Sequence, residues 1–292
     1  MRFLLLAAVL LHTPAHVDAG SQGNAFAQAQ AVKAGTRLLE ESVASPALGR
    51  TMNYRVLLPD GYEGSLKRYP VLYLLHGLGG DYKDWTSRSN LADYSRPLPL
   101  IIVMPDGENQ WYTNAADGTA RFEDYVLTDL QADVVKKFRT VNSRYGRSIA
   151  GLSMGGYGAL KLALKRPAAF AVAGSFSGAL QATRAAELES RIGQTEADRM
   201  QKIFGPAGSD TRQSNDVFAL AAALKPAGAP YLYLDCGTAD GLLAANREAV
   251  AALHRSGVAY EYHEVAGAHT WDYWDRRIRE FLPVLMKKLA NQ

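Results

Sequence analysis

Short apolar runs alternate with longer amphipathic segments along most of the chain. Continuous apolar runs at Val71–Leu75, Leu100–Met104 and Tyr231–Cys236 predict strands that are buried on both faces. Helical patterns over Phe122–Phe138 and Arg276–Leu289 predict helices that pack one face on a core. Strands that alternate with helices indicate an α/β fold, with a mostly parallel central sheet and helices on both of its faces.

The first two predicted strands are connected differently. A turn-like segment at residues 45–50 separates Thr36–Val43 from Met52–Leu58, which predicts an antiparallel start to the sheet. The remaining predicted elements are strands at Ser148–Ala150, Phe170–Ser175 and Ala259–Val265, and helices at Tyr157–Leu164, Val217–Leu224 and Arg247–Arg255.

Residues 181–229 are less regular than the rest of the chain. Glu187–Ile203 is charged and helical in pattern, and the whole segment falls between two predicted core strands. An insertion at that point could form a cap over a cleft, or it could be a pair of solvated surface helices. The pattern leaves both interpretations open.

The N-terminus has the pattern of a secretory signal peptide. Arg2 precedes the apolar run Phe3–Leu11, which is too short to span a bilayer, and Val17 and Ala19 place small side chains where signal peptidase cleaves. A short buried helix or a membrane anchor is the alternative. No other run is long enough to cross a membrane, so the product is expected to be secreted or periplasmic.

These signals divide the chain into three parts. The prediction is a signal peptide over residues 1–19, a flexible leader rich in Ala, Gln and Gly over residues 20–35, and a catalytic domain over residues 36–292. The domain would include the possible cap insertion.

Composition narrows the functional classes. The 292 residues are 48% hydrophobic and 21% charged, which suits one large domain with its own core. The net charge of +3 comes without a basic cluster, so nothing favours binding to nucleic acid. Cys236 is the one cysteine, which excludes an intramolecular disulfide, and no Cys and His cluster has the spacing of a zinc site. We expect neither a metal nor a cofactor.

Chemistry is indicated first by the pentad Gly151–Gly155. It has the form G-x-S-x-G and follows a short apolar run, so it predicts a strand, a sharp turn and a helix. Such a turn exposes the hydroxyl of Ser153 above the end of a sheet as a nucleophile. A glycine-rich turn with an incidental serine is the alternative.

A serine nucleophile needs a base and an acid, and their order along the chain identifies candidates. His269 follows the last predicted strand, as the order nucleophile, acid, base requires. Asp240 follows the strand Tyr231–Cys236 and is the predicted acid, whereas its rival Asp235 lies inside that strand. A backbone-bonded loop histidine is the alternative for His269.

The oxyanion of an acyl-transfer reaction needs two backbone N–H donors. Met154 follows the nucleophile at the start of a helix, so its N–H is the first candidate. The glycine-rich loop His76–Gly80 follows an early strand, and the Leu78 N–H is the second candidate, with Gly77 as the alternative. This loop lacks the Lys-Ser/Thr ending of a phosphate-binding loop.

Four segments together resemble the esterase D-type esterases of the α/β-hydrolase superfamily. They are Tyr54–Pro59, His76–Gly80, Gly151–Gly156 and Gly267–Trp271, and the similarity extends from about residue 36 to 289. The group includes S-formylglutathione hydrolases, tributyrin-type esterases, feruloyl and acetyl-xylan esterases, and mycolyltransferases. The chain differs from the S-formylglutathione hydrolases in lacking their glycine-loop cysteine and in its predicted export.

This resemblance implies an α/β-hydrolase fold and names the same site. Ser153, Asp240 and His269 would form the catalytic triad, and the N–H groups of Leu78 and Met154 would form the oxyanion hole. The loop that holds Trp111 and Tyr112 resembles a substrate-side loop of the tributyrin-type members. With Trp271, which flanks the predicted base, these rings are predicted to bind substrate; ordinary loop packing is the alternative for each.

The sequence therefore predicts an exported serine esterase that acts on a small-molecule or glycan-linked ester. An acyltransferase of the mycolyltransferase type would use the same triad, and a non-catalytic binding protein could keep the same fold. The oligomeric state is left open.

Overall fold

The computed structural model of the protein describes residues 37–184 and 194–290. The predicted signal peptide and leader therefore lie outside the described residues, and so do residues 185–193 of the predicted cap insertion.

One mixed sheet organises the described residues. Its eight strands have the spatial order β1-β2-β4-β3-β5-β6-β7-β8. Strand β1 pairs with β2 and β2 pairs with β4 in antiparallel fashion, and the other pairs are parallel. This arrangement confirms the predicted fold class and its antiparallel start. The strands are β1 (Leu38–Ser45), β2 (Arg50–Leu57), β3 (Val71–Leu75), β4 (Ile101–Pro105), β5 (Arg147–Leu152), β6 (Val172–Phe176), β7 (Tyr231–Gly237) and β8 (Tyr260–Val265).

Helices accompany the sheet. In the described ranges the α-helices are α1 (Asp84–Ser87), α2 (Leu91–Tyr94), α3 (Phe122–Asp124), α4 (Leu130–Lys137), α5 (Met154–Lys165), α6 (Gln194–Phe204), α7 (Asp210–Ser214), α8 (Val217–Ala223), α9 (Leu243–Ser256) and α10 (Trp271–Ala290). No helix of residues 37–184 and 194–290 combines the length and the apolar character needed to cross a membrane.

Burial follows the position of each strand in the sheet. Every residue of β3, β4 and β6 is buried, whereas the edge strand β8 has no buried residue. Central strands read as continuous apolar runs because helices cover both faces of the sheet. The same runs were therefore the easiest elements to predict.

Several predicted helices differ from the structure, and α5 and α9 begin at Met154 and Leu243 rather than at Tyr157 and Arg247. The segment Phe122–Phe138 contains a π-helical turn at Tyr125–Asp129 between α3 and α4. The C-terminal helix begins at Trp271 rather than Arg276 and continues through Pro283. Its first turns are aromatic, and the sequence interpretation had assigned them to a loop. The unpredicted helices α1, α2 and α7 are too short to show a helical period.

A buried ion pair joins α10 to the sheet. Asp235 on β7 is fully buried and accepts hydrogen bonds from Arg277 Nε at 3.1 Å and from the Tyr273 hydroxyl at 2.9 Å. Arg277 also donates to the Tyr233 hydroxyl at 2.6 Å. The pair therefore fixes the start of α10 against the strand that precedes Asp240.

We expect Arg277→Met to destabilise the protein by about 3–5 kcal/mol, because Asp235, whose pKa burial already raises to about 7, loses the buried cation and the hydrogen bond that oppose this shift. Urea unfolding would measure the loss. Arg276→Met is the matched control on the exposed face of the same helix, with an expected change within about 0.5 kcal/mol. Adding Asp235→Asn to Arg277→Met should recover part of the lost stability. Equal losses in Arg277→Met and in Arg276→Met would contradict the assignment.

Candidate active site

The pentad forms a sharp turn between β5 and α5. Ser153 lies between the last residue of the strand and the first of the helix, at φ 53° and ψ −115°. Residues that carry a side chain rarely adopt a positive φ. The backbone at Ser153 is therefore strained and is held in place by the surrounding structure. The Ser153 N–H donates to the Phe176 carbonyl, and the Ser153 carbonyl accepts from the Ala179 N–H, both at 3.0 Å. This is the geometry of a nucleophile turn.

The two glycines of the pentad are required by close backbone approach. A Cβ on Gly151 would lie 2.5 Å from the backbone of Gly155. A Cβ on Gly155 would lie 2.5 Å from the Leu75 carbonyl oxygen at the end of β3. The helix therefore packs directly on the neighbouring strand, next to the glycine-rich loop.

The three predicted triad residues meet at the ends of different strands. His269 Nε2 lies 2.9 Å from Ser153 Oγ, and His269 Nδ1 lies 2.8 Å from Asp240 Oδ2. An ionised carboxylate can only accept a hydrogen bond, so His269 carries its proton on Nδ1. Nε2 is then free to accept from the serine hydroxyl. The arrangement has the polarity that base-assisted attack by serine requires.

Asp240 is held in its ionised form. It is 6% exposed, and burial opposes ionisation of its carboxyl. Hydrogen bonds from His269 and from the Leu242 N–H outweigh burial and hold the pKa of Asp240 below its usual value. The rival Asp235 does not reach His269, because its carboxylate is bound by Arg277 and Tyr273.

The two predicted oxyanion donors are available. Met154 is the first residue of α5, where a backbone N–H has no partner within the helix. In the described parts of the chain, neither its N–H nor that of Leu78 donates to a protein acceptor. Leu78 lies in the loop after β3, and its side chain is 41% exposed.

A cavity of about 450 Å³ opens beside Ser153 and His269. Trp271 lines it, and Arg88 lies over the Trp271 ring at 5.0 Å from its centroid. Trp274 packs edge-on against His269 with centroids 4.8 Å apart. The lining residues are Gly77, Leu78, Gly79, Gly80, Asp84, Arg88, Leu152, Ser153, His269, Thr270, Trp271, Asp272 and Trp274.

Trp111 and Tyr112 do not line this cavity, which corrects their assignment to substrate contact. Trp111 is 3% exposed and packs edge-on against Tyr157 and Phe204, while Tyr112 is fully buried. An aromatic residue in a loop can face solvent or the core, and local sequence does not decide which. The Tyr112 hydroxyl instead donates to the His76 carbonyl at 3.0 Å.

Two buried polar residues near the site, Lys161 and Glu123, were not identified from the sequence. Lys161 on α5 is fully buried and donates to Glu123 Oε2 at 2.9 Å and to the Tyr112 carbonyl at 2.6 Å. His76 is also buried and contacts the glycine-rich loop. The signal for Lys161 was its place among apolar residues within the helix, four residues after Tyr157.

The charges of this buried cluster are mutually dependent. Burial opposes ionisation of Glu123, but Lys161 and Lys165 outweigh it and lower the pKa of Glu123 to about 2. Burial lowers the pKa of Lys161 to about 8 despite the attraction of Glu123. Both groups are therefore charged at neutral pH.

Among residues 37–184 and 194–290, no three His, Cys, Asp or Glu side chains are grouped to hold a metal ion.

Comparison with known proteins agrees with this geometry. A model of the family described as "Putative esterase" matches residues 45–285. An acetyl esterase of Caldicellulosiruptor saccharolyticus is 31% identical over 212 residues, which cover 71% of this chain and 80% of that protein. An esterase of Mycobacterium tuberculosis is 34% identical over 249 residues, covering 77% of this chain and 54% of that protein. This chain thus spans about half of the mycobacterial protein's length.

A solved structure extends the comparison to the fold. The substrate-bound fluorophosphonate-binding serine hydrolase F of Staphylococcus aureus is 28% identical and superposes with a TM-score of 0.76. The match covers 85% of this chain and 98% of that one. These similarities confirm the predicted resemblance and support a carboxylic-ester hydrolase.

We expect Glu123→Gln to lower stability most at neutral pH. Because the pKa of Glu123 falls from 4.5 to about 2 on folding, its carboxylate stabilises the fold fully above pH 4.5. That stabilisation is lost as the pH falls toward 2, by about 1.4 kcal/mol for each pH unit. Urea unfolding at neutral pH and at about pH 3.5 should show the difference between variant and wild type shrinking. Glu63→Gln, at an exposed carboxylate, is the control; a pH-independent difference for Glu123→Gln would contradict the assignment.

Proposed function

Because the chain belongs to the "Putative esterase" family, we propose that it is a serine hydrolase of carboxylic esters that works through an acyl-enzyme on Ser153. One observation carries the proposal. A continuous chain of hydrogen bonds runs from Asp240 through His269 to the Ser153 hydroxyl, and it borders an open cavity.

Acylation begins when His269 Nε2 takes the Ser153 proton as Oγ attacks the ester carbonyl carbon. The carbonyl electron pair moves to oxygen, where the N–H groups of Leu78 and Met154 stabilise the developing charge. The tetrahedral intermediate then collapses. The bond to the alcohol oxygen breaks, and His269 gives its proton to the departing alcohol.

Deacylation repeats the same proton transfers with water. His269 takes a proton from water as the water oxygen attacks the acyl-enzyme carbonyl carbon. The bond to Ser153 Oγ breaks, His269 returns the proton to the serine, and the carboxylic acid leaves. Throughout, Asp240 holds the imidazole in the required tautomer and stabilises its cationic form.

The substrate class and location are part of the proposal. The cavity beside Ser153 is open and lined by both apolar and polar groups, and one relative is named an acetyl esterase. A small acyl group on an alcohol or glycan is consistent with both. The predicted signal peptide over residues 1–19 would export the enzyme, to act in the periplasm or outside the cell.

Ser153→Ala should reduce the hydrolysis of p-nitrophenyl acetate by at least about 1,000-fold and abolish labelling by a fluorophosphonate, because both reactions form a bond to Oγ. Ser256→Ala, which removes a hydroxyl at the end of α9, is the control. Unchanged turnover in Ser153→Ala would reject the mechanism. Formation of new ester when an alcohol is added at low concentration would instead indicate an acyltransferase.

Asp240→Asn should lower kcat by about 10,000-fold, since an asparagine favours the wrong imidazole tautomer. Asp235→Asn is the matched comparison, because Asp235 lies on the strand that precedes Asp240 and its carboxylate is bound by Arg277 and Tyr273 rather than by His269. It should lower the melting temperature but keep kcat within about a factor of three well below that temperature. Steady-state kinetics of both variants would measure the contrast, and the reverse pattern would assign the acid to Asp235.

A further inference from the structure

The orientation of the peptide that joins Gly77 to Leu78 sets the direction of the Leu78 N–H. The Gly77 carbonyl and the Leu78 N–H belong to the same planar peptide and therefore point in opposite directions. The Gly77 oxygen accepts from His76 Nδ1 at 2.8 Å and from the Gly80 N–H at 3.1 Å. These bonds fix the carbonyl, and with it the direction of the predicted oxyanion donor.

His76 can donate a hydrogen bond to the Gly77 carbonyl only when its ring carries a proton on Nδ1. It is 1% exposed, and its Nε2 accepts from the Gly107 N–H at 2.9 Å. A backbone amide can only donate, so Nε2 carries no proton and Nδ1 carries the proton that binds the Gly77 oxygen. Nδ1 is thus bonded to the backbone of the glycine-rich loop and Nε2 to the backbone of Gly107, and the Asp106 carboxylate lies 3.6 Å from Nε2.

Tyr112 contacts both the backbone and the ring of His76. Its hydroxyl donates to the His76 carbonyl at 3.0 Å, and its ring packs on the imidazole with centroids 5.9 Å apart. Gly107 and Gly158 make room for the ring, because a Cβ at either position would clash with it. The ring and the hydroxyl together therefore restrain the residue that begins the glycine-rich loop.

Tyr112 is itself fixed by the nucleophile helix. Its backbone is strained at φ 50°, and its carbonyl accepts from Lys161 Nζ at 2.6 Å. Lys161 lies on α5, the helix that begins directly after Ser153, and Glu123 neutralises it at 2.9 Å. One helix thus carries the nucleophile turn at its start and the anchor of Tyr112 further along.

We propose that Tyr112 is a positioning residue for the oxyanion hole: its hydroxyl, anchored through Lys161, holds His76 so that the Leu78 N–H keeps its direction. The inference rests on the proposed function, because it assigns Tyr112 a part in the same reaction. Backbone donors stabilise developing charge only when they are already oriented toward it. Without the hydroxyl, the His76 carbonyl loses its partner and the following peptides can rotate.

Tyr112→Phe tests this role by removing one oxygen atom. We expect kcat for p-nitrophenyl acetate to fall by about 10-fold or more, with KM nearly unchanged, because the donor acts mainly in the transition state. Tyr125→Phe is the matched control: Tyr125 is fully buried, and its hydroxyl has no hydrogen-bond partner among the described residues. It should keep the wild-type kcat.

Inhibition by a trifluoromethyl ketone supplies a readout that a purely structural role would not change. This inhibitor adds to the Ser153 hydroxyl and places an oxyanion where the transition state has one. Its affinity should fall in Tyr112→Phe by the same factor as kcat/KM. If the folded variant keeps both kcat and inhibitor affinity within about two-fold, the inference is wrong. A loss of kcat without a loss of inhibitor affinity overturns it as well.

A second variant removes the hydrogen bond from Lys161 to the Tyr112 carbonyl. The double variant Lys161→Met, Glu123→Gln removes the donor to the Tyr112 carbonyl together with its counter-ion, and it should lower kcat in the same direction even if Tyr112→Phe does not fold. Ser153→Ala, assayed in parallel, separates the two failures. An active Ser153→Ala would reject the proposed function, whereas an inactive Ser153→Ala beside fully active Tyr112→Phe and double variants would reject only the role of Tyr112.

Discussion

The site depends on a close backbone contact between the nucleophile helix and the strand beside it. The Gly155 Cα faces the Leu75 carbonyl with no space for a side chain between them, and Gly151 approaches Gly155 equally closely. These contacts hold Ser153 in its strained conformation between β5 and α5. Tightly packed backbone cannot shift without losing many contacts at once, so the serine and the loop after β3 keep a fixed relation.

The parallel sheet supplies the other partners of the serine. Strands β5, β6, β7 and β8 are neighbours and run in the same direction, so their carboxyl ends meet at one edge. Asp240 and His269 follow the last two of these strands. A separation of 116 residues along the chain thereby becomes 2.9 Å between His269 Nε2 and Ser153 Oγ. The order of the strands, more than any local motif, brings the candidate triad together.

Chain order and strand pattern were enough to predict the fold and to choose which side chains meet. Asp240 was preferred over Asp235 because it follows the strand, and the structure shows Asp235 bound inside by Arg277. Side-chain direction in loops was not predictable. Tyr112 was assigned to substrate, yet the space that accepts its ring is created in part by Gly158, which is distant in sequence. Lys161 was passed over for the same reason, since Glu123 becomes its partner only when the chain folds.

Both sides of the site rest on buried ions, although buried ion pairs contribute little net stability. Desolvation offsets most of the attraction, and an apolar replacement of similar volume is often as stable. What an ion pair adds is direction, because its hydrogen bonds fix where each group lies. Arg277 orients α10, which begins just after His269, and Lys161 orients Tyr112, which contacts the loop of Leu78. An all-apolar core could hold the same sheet, but it would have no hydrogen bonds with which to fix the start of α10 on one side and to align the oxyanion donor on the other. The buried charges therefore serve the placement of these elements more than the net stability of the fold.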